Sequence, residues 1–443
     1  MPQFSKYLLA GQIALVISLS PQLSAAGGLI RDAEIERTLE ALSAPLFQAA
    51  GFPPGTIEIY ILNDRTLNAF VANGNNMFLH TGLLEILETP EELLAVIAHE
   101  AGHIAGGHQA RRQINVRNAR GPALLGVLVG IAAGVAGGGG EAATALIAGS
   151  QGAVMRTLLR YNRGEEAAAD QAALDYLARA GINPNGMLKV LERFRGQEVF
   201  NVGNIDPFVL THPLGTERIQ LIERRVGEAT GRTFAADPVR AYWHGRMRAK
   251  LVGFLDAPER VLDRLEGEAE TEEVLYSKAV AFYRLPALPE ALAAVDRLIA
   301  LRPADPFFIE LKGQILFETG HGEQAVPLYR EAVRLAPGEA LLEAGLGRAL
   351  LSLEQPKADA EALEVLQNAR RRDLGDASAL RDLATAYSRA DDQGMAGLAT
   401  AERYALTGDI EDAMLHARRA VAVLPEGSPG WLRAQDILSL KPE

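Results

Sequence analysis

Residues 95–112 contain three of the chain's eight histidines and one glutamate, set among Ala, Gly and Ile. His99, Glu100 and His103 form the pattern H-E-x-x-H. Residues four apart share one face of a helix, so both imidazoles can reach a single zinc ion at about 2.0–2.1 Å. Glu100 adjoins the first histidine, where a carboxylate can take the proton of an attacking water. The pattern indicates a hydrolytic zinc centre in preference to two structural histidines.

A catalytic zinc site needs a third protein ligand, and the segment 160–181 can supply it. Its apolar residues recur at helical spacing but are interrupted by Glu165, Glu166 and Asp170. Glu166 and Asp170 lie four apart, so one carboxylate could bind the metal while the other holds a ligand histidine. We therefore predict Glu166, not Glu165, as the third ligand. The alternative is a solvated face of a surface helix.

His212 precedes a proline, which predicts an extended or turn conformation, and Arg218 follows six residues later. His212 could be a donor that stabilises the oxyanion together with Arg218. It could instead be a fourth ligand that displaces the water and keeps the enzyme latent. We favour the latent state, because the fourth tetrahedral position of a closed site must be filled. His108 is predicted to lie on the motif helix, turned away from the zinc, where it either contacts a ligand residue or has a structural role.

The elements that must position these residues follow from local patterns. Apolar spacing predicts a helix over 31–50, and β-branched alternation predicts a strand over 56–62. Two β-prone runs around 73–76 predict a hairpin. Thr89 as cap and Pro90 at the first position predict the motif helix, continuing to about Arg112.

The apolar, Gly- and Ala-rich segment 121–155 leaves two interpretations open. It could form two small-residue helices packed on the core. It could instead form a hairpin that touches a membrane peripherally or covers the active site. The run is too short and too rich in glycine to predict a transmembrane helix.

Composition bounds the function further. The 443 residues carry a net charge of −12 and no cysteine, which excludes disulfides and thiol catalysis and argues against a nucleic-acid partner. Residues 1–26 combine Lys6, an apolar run and a small-x-small site, as in a cleaved signal peptide. The alternative is an uncleaved membrane anchor. The sequence therefore predicts export from the cytoplasm.

The second half of the chain repeats. Similar helices end at Pro303 and Pro337, 34 residues apart, and a further copy ends at Pro425. A degenerate copy ends at Leu374, after a three-residue insertion near 353–359. This period predicts tetratricopeptide-like helix pairs that stack into a solenoid with a concave groove, with a plain helical bundle as the alternative. The predicted domains are a signal peptide (1–26), a metallopeptidase domain (27–230), a linker (231–255) and a helical repeat domain (256–443).

Five motifs together resemble the zinc metallopeptidases of the HtpX and CAAX-prenyl-protease type. They are NAF at 68–70, GLL at 82–84, HEAGHIAGGH at 99–108, RGEEAAAD at 163–170 and HPLGTER at 212–218. The resemblance implies zinc binding by His99, His103 and Glu166, and Glu100 as catalytic base. It implies that Asp170 orients a ligand histidine, and that Asn68, His212 and Arg218 surround the substrate carbonyl.

A signal peptide before such a domain and repeats behind it resemble the periplasmic subgroup of that family. The resemblance implies a mainly α fold: a zincin-like domain with a small β-hairpin or sheet, followed by an α-solenoid. It implies a zinc metalloendopeptidase that cleaves misfolded or stalled outer-membrane proteins and assists their assembly. Unfolded β-barrel proteins and the assembly machinery would bind the repeats, and a substrate strand would add to the edge of the Phe70–Leu79 hairpin. The alternative is a repeat-based chaperone or scaffold with a mostly latent protease.

Overall fold

The structure is a computed structural model that describes residues 28–72, 74–108, 163–194, 212, 216–229 and 234–440. The predicted signal peptide (1–26) and the apolar segment 121–155 lie outside these residues. The chain divides into two compact units. We call Thr38–His244 the motif unit, and Ile30–Arg37 together with Gly245–Glu443 the repeat unit.

A small mixed sheet contains the predicted hairpin. Its strands lie in the order β1-β2-β4-β3, and β4 pairs parallel to β2 and antiparallel to β3. Strand β4 is buried along its whole length. The rings of Tyr60, Phe78 and Phe70 stack across neighbouring strands at 5.3 and 5.0 Å, so aromatic packing fixes the register. Within the described residues β3 forms one edge of the sheet. The strands are β1 Leu29–Ile30, β2 Glu58–Leu62, β3 Ala69–Ala72 and β4 Asn76–His80.

Six helices lie before residue 238 within the described residues, and the one that carries the H-E-x-x-H motif is α3. Thr89 caps it by accepting a hydrogen bond from the Glu92 N–H, and Pro90 occupies its first turn, as predicted. The buried stretch from Leu93 to Ala98 anchors the helix in the core of the motif unit. The helices are α1 Ala33–Ala50, α2 Thr81–Ile86, α3 Pro90–Ala105, α4 163–179, α5 Asn185–Phe194 and α6 Thr216–Ala229.

Helix α3 ends earlier than the sequence suggests. It stops at Ala105, followed by a turn at Gly106 and Gly107, so the predicted unbroken helix to about Arg112 is wrong at this turn; residues 109–112 lie outside the described residues. Gly107 has φ +60°, a left-handed conformation that glycine adopts without steric cost. The turn changes the direction of the chain immediately before His108.

The predicted repeats are confirmed as antiparallel helix pairs. The first helices of three pairs begin at residues 272, 306 and 340, so the unit is 34 residues long. The alanine near the start of each second helix (Ala291, Ala325 and Ala362) is 0% exposed, which lets neighbouring helices pack closely. The three-residue insertion lengthens helix α14. The helices are α7 Pro238–Leu255, α8 Pro258–Arg264, α9 Glu272–Arg284, α10 Leu288–Leu301, α11 Pro306–Glu318, α12 Gly322–Leu335, α13 Ala340–Leu351, α14 Pro356–Arg372, α15 Ala377–Arg389, α16 Gln393–Thr407, α17 Ile410–Val421 and α18 Pro429–Leu438.

The segment predicted as a linker, 231–255, contains helix α7. Its charged residues conceal the amphipathic pattern, because Arg246 and Lys250 are each 1% exposed. They lie one turn apart and form ion pairs with the buried carboxylate of Glu34. A pattern that counts charges as solvent-exposed therefore misses this helix. Among the described residues, no helix is both long and apolar enough to cross a bilayer.

Candidate metal centre

Four side chains that lie far apart in the sequence converge in the motif unit. His99, His103, Glu166 and His212 each present one ligand atom, and these atoms lie within 4.8 Å of one another. All four residues are at most 6% exposed. The four residues considered as ligands from the sequence thus form one cluster.

The spacing of the ligand atoms fits a small tetrahedral ion. His99 Nε2 lies 3.1 Å from His103 Nε2 and 3.3 Å from Glu166 Oε2. His103 Nε2 lies 3.3 Å from Glu166 Oε1. His212 Nδ1 lies 3.2 Å from His99 Nε2 and 3.1 Å from Glu166 Oε2. A tetrahedron with bonds of about 2.0–2.1 Å has edges of about 3.3–3.4 Å, so these distances are compatible with a metal site.

A glycine allows the two ligand-bearing helices to meet. A β-carbon added to Gly102 on α3 would lie 2.8 Å from the backbone oxygen of Ala169 on α4. Only hydrogen at this position permits the approach that brings Glu166 to the histidines. The small residues between the histidines therefore make room for a second helix.

Asp170 and Arg218 hold the ligands from behind. Asp170 Oδ1 lies 3.0 Å from His99 Nδ1 and accepts its proton, which leaves Nε2 available for a metal. Arg218 donates to Asp170 from Nε at 2.6 Å and from Nη2 at 2.9 Å, and its Nη1 lies 3.0 Å from Glu166. The structure thus places Asp170 beside His99. Arg218, which was predicted beside the substrate carbonyl, instead bridges the two buried carboxylates.

His108 has a contact that sequence spacing did not reveal. Its Nδ1 lies 2.9 Å from His103 Nδ1, which can donate its proton and turn Nε2 towards the cluster. The turn after α3 makes this contact, and a β-carbon on Gly106 would lie 2.3 Å from His108 Nε2. The Gly-Gly pair was the sequence signal for this return of the chain.

His212 contacts the cluster, the base and the sheet. Its Nε2 lies 3.3 Å from the carbonyl oxygen of Ala69, which can only accept, so Nε2 can donate to it while Nδ1 faces His99 and Glu166. The Asn68 carbonyl accepts from the His80 N–H in the β3–β4 pairing, so the Ala69 carbonyl points to the open edge of β3. Glu100 Oε1 is buried, has no hydrogen-bond partner among the described residues, and lies 3.5 Å from His212 Nε2.

The electrostatics of the cluster favour a cation. Burial alone would lower the pKa of His99, but hydrogen bonds to Asp170 and Glu166 and their charges raise it to about 10. Burial would raise the pKa of Glu166, but the charge of His212 and hydrogen bonds from His103, His212 and His99 hold it far below its usual range. Burial lowers the pKa of His103 despite its hydrogen bond to Glu166. Without a metal, a proton on His99 supplies the positive charge.

Comparison with known proteins agrees with this geometry. Residues 30–226 match the model of peptidase family M48. The chain contains a peptidase family M48 domain. It is accordingly a metalloprotease, and the family implies a bound metal.

Several curated proteins are similar to this chain. The "Beta-barrel assembly-enhancing protease" of Yersinia pestis is 26% identical over 400 residues, covering 89% of this chain and 80% of its own. The "Mitochondrial metalloendopeptidase OMA1" of Schizosaccharomyces pombe is 28% identical over 42% of this chain and 51% of its own. Among solved structures, the tetratricopeptide protein YrrB aligns with 40% of this chain and 91% of its own, at 18% identity and a TM-score of 0.32. That score is too low to bear on the fold, which rests on the helix pairs themselves.

Proposed function

We propose that the chain is a zinc endopeptidase of the cell envelope, with His99, His103 and Glu166 as the metal ligands. The tetrahedral spacing of buried imidazole and carboxylate donors carries the proposal. A zinc ion there would polarise a scissile carbonyl and acidify the attacking water. Glu100, buried and adjacent to His99, accepts the proton of that water and delivers it to the leaving amine. Asp170, held by Arg218, fixes the orientation of His99.

Elemental analysis and cleavage of an unfolded protein test this function together. We expect one zinc per chain, and loss of zinc in His99→Ala and His103→Ala. Glu100→Gln should keep the zinc and abolish cleavage, because it removes only the base. Glu91→Gln, in the first turn of the same helix, is the control and should cleave normally. Wild-type protein that contains no zinc would show that the assignment is wrong.

We propose further that His212 closes the site in its resting state. Its Nδ1 completes the ligand tetrahedron, while its Nε2 proton binds the outward carbonyl of Ala69. One side chain would thus fill the position of the attacking water and occupy the strand edge where a substrate peptide would pair. Opening requires both contacts to be exchanged for those of a substrate strand.

The two roles considered for His212 predict opposite results. If it closes the site, His212→Ala should retain zinc, cleave unfolded protein faster and cleave itself. If it were an oxyanion donor, the same change should nearly abolish activity. Glu100→Gln combined with His212→Ala should restore an intact chain, which separates self-cleavage from misfolding.

For the substrate we propose unfolded or stalled outer-membrane β-barrel proteins. The support is the name of the relatives that match 89% of the chain, and the edge of β3, which pairs with no further strand among the described residues and suits extended strands. The repeats would bind these clients and the assembly machinery, and the signal predicted at 1–26 would deliver the chain to the periplasm. A Glu100→Gln chain should trap unfolded barrels and leave folded barrels in solution. Equal capture of a cytoplasmic unfolded protein would argue against this specificity.

The closed arrangement also keeps a second function open for test, a repeat-based chaperone or scaffold with a mostly latent protease. The observation that favours it is the position of His212 within the ligand set. A Glu100→Gln chain that supports barrel assembly as well as the wild type would establish this function. Loss of assembly in that variant would instead make proteolysis the essential activity.

A further inference from the structure

An open groove of about 800 Å³ crosses three helices of the repeat unit. Helix α16 contributes small side chains at Ala396 and Gly397, while α15 and α17 contribute longer, charged ones. Among the described residues, four arginines and one histidine line the groove, and no Asp or Glu does so. This charge is opposite to that of the whole chain, which is −12.

Two of the four arginines have no acidic partner among the residues that the structure describes. Arg381 pairs with Asp382 at 2.9 Å, and Arg389 with Asp359 at 2.6 Å. Arg403 and Arg419 form no ion pair within the described ranges. The guanidinium of Arg403 lies 4.4 Å from the ring centre of Tyr404, which limits its freedom without neutralising its charge.

The histidine in the groove responds to these charges. His416 stacks on Tyr404 with an angle of 17° between the rings. Burial lowers its pKa, and the charges of Arg419 and Arg403 lower it further against the opposite effect of Asp412, which lies outside the lining of the groove. The groove therefore carries a net positive charge that comes from its arginines.

The hydroxyl groups of the groove distinguish between classes of anion. Thr385 Oγ1 donates to the Arg381 carbonyl at 3.2 Å, and Thr400 Oγ1 donates to the Ala396 carbonyl at 2.9 Å. With their protons engaged, both oxygens present lone pairs to the groove. They can accept from the N–H groups of a peptide backbone, whereas the phosphodiester backbone of a nucleic acid has no N–H to offer.

We propose that this groove binds an extended acidic segment of a partner protein. The unpaired guanidinium groups of Arg403 and Arg419 would contact its Asp and Glu carboxylates, and Thr385 and Thr400 would accept from its backbone. The small side chains of α16 leave room for the chain. This proposal rests on the proposed function in one respect: the proposed function has the repeats bind partner proteins, and the groove names the chemistry of one such partner.

The test is a fluorescence anisotropy titration of the full chain carrying Glu100→Gln, so that no cleavage occurs. The probe is a short labelled peptide rich in Asp and Glu, compared with the same peptide carrying Asn and Gln. We expect only the acidic peptide to bind, more weakly with added salt. Arg403→Gln and Arg419→Gln should each weaken binding about two- to fivefold, as for exposed charge pairs.

Arg418→Gln is the matched control. Like Arg419→Gln, it removes one positive charge from helix α17. Arg418 is exposed and does not line the groove, so binding should be unchanged. Equal binding of the amide peptide, or an equal effect of Arg418→Gln, would overturn the proposal. So would tighter arginine-dependent binding of single-stranded RNA or of phosphatidylglycerol vesicles. An inactive or zinc-free metal site would leave this result unaffected, so failure of the proposed function is distinguishable.

Discussion

The α-carbon of Gly102 faces the backbone of Ala169, so that a β-carbon at Gly102 would lie 2.8 Å from the carbonyl oxygen and 3.0 Å from the α-carbon of Ala169. Neither atom can move without displacing helix α4. The distance between Glu166 and the two ligand histidines therefore depends on the absence of a side chain at residue 102. A position between the ligands, with no ligand atom of its own, thus controls the geometry of the site.

Gly102→Ala should weaken zinc binding about ten- to hundredfold, the range typical of changes to residues that orient metal ligands. The measurement is competition with a chelator. Gly164→Ala is the control, because a β-carbon on Gly164 meets nothing within 4 Å. The control should bind zinc normally and be slightly more stable, since alanine favours a helix. Unchanged affinity in Gly102→Ala would contradict the role of this contact.

Glu166→Gln should weaken zinc binding much more than Glu165→Gln. Glu166 is fully buried with its oxygens towards both histidines, whereas Glu165 is partly exposed. The amide of glutamine is neutral and a poorer zinc ligand than a carboxylate. Zinc content after dialysis compares the two variants directly. Equal losses would contradict the assignment of the third ligand.

Arg218→Gln should destabilise the motif unit and weaken zinc binding together. The change leaves Asp170 and Glu166 buried without their cation, and breaking a buried pair in this way costs about 3–5 kcal/mol. Thermal unfolding of the zinc-loaded chain measures the effect, with Arg224→Gln on the exposed face of α6 as control. A variant that kept its stability and zinc but lost kcat would instead support the role at the substrate carbonyl that the sequence suggested.

Zinc binding should release protons and tighten with rising pH. In the metal-free site the pKa of His99 is raised to about 10, so below that pH a proton occupies the place that the cation takes. Each proton released should tighten the apparent affinity about tenfold per pH unit. Calorimetry in buffers of different ionisation enthalpy measures the number released. Binding that does not change with pH over about three units below that pKa would contradict the charge balance described here.

The repeat unit contains a carboxyl group that should make its stability depend on pH. Burial raises the pKa of Glu310 to about 7, and the charges of Asp32 and Glu34 raise it against the opposite effect of Lys250. The folded chain therefore holds this proton more tightly than the unfolded chain. The resulting stability is complete below the ordinary pKa of 4.5 and is lost as the pH rises through about 7.

Glu310→Gln should accordingly raise the melting temperature relative to wild type. The increase should be larger at a pH above about 7 than at a pH below 4.5. Differential scanning calorimetry of the full chain at both pH values gives this difference. Glu364→Gln, an exposed position in the same unit, should show no such pH dependence. A Glu310→Gln effect that is the same at both values would show that the group does not titrate in this range.

The sequence by itself determined the elements whose information is local. The spacing of His99 and His103 on a capped helix, the hairpin around residues 73–76 and the 34-residue period each lie within a short window, and each is found in the structure. The period of the apolar residues shows which face of a helix or strand is buried. Residues that share one face, such as His99 and His103, can act together, so the chemistry of the motif is readable from local spacing.

Tertiary structure decided what depends on contacts between distant segments. Arg218 forms ion pairs with Glu166 and Asp170, because two buried carboxylates need a cation and the folded chain brings that guanidinium close to both. Helix α3 ends at Ala105, and the following turn brings His108 into contact with His103. Arg246 is buried in a helix within the segment that was predicted to be a linker. Charged and small residues carry no periodic signal of their environment. Whether they face water, a carboxylate or another backbone is settled only when the helices pack.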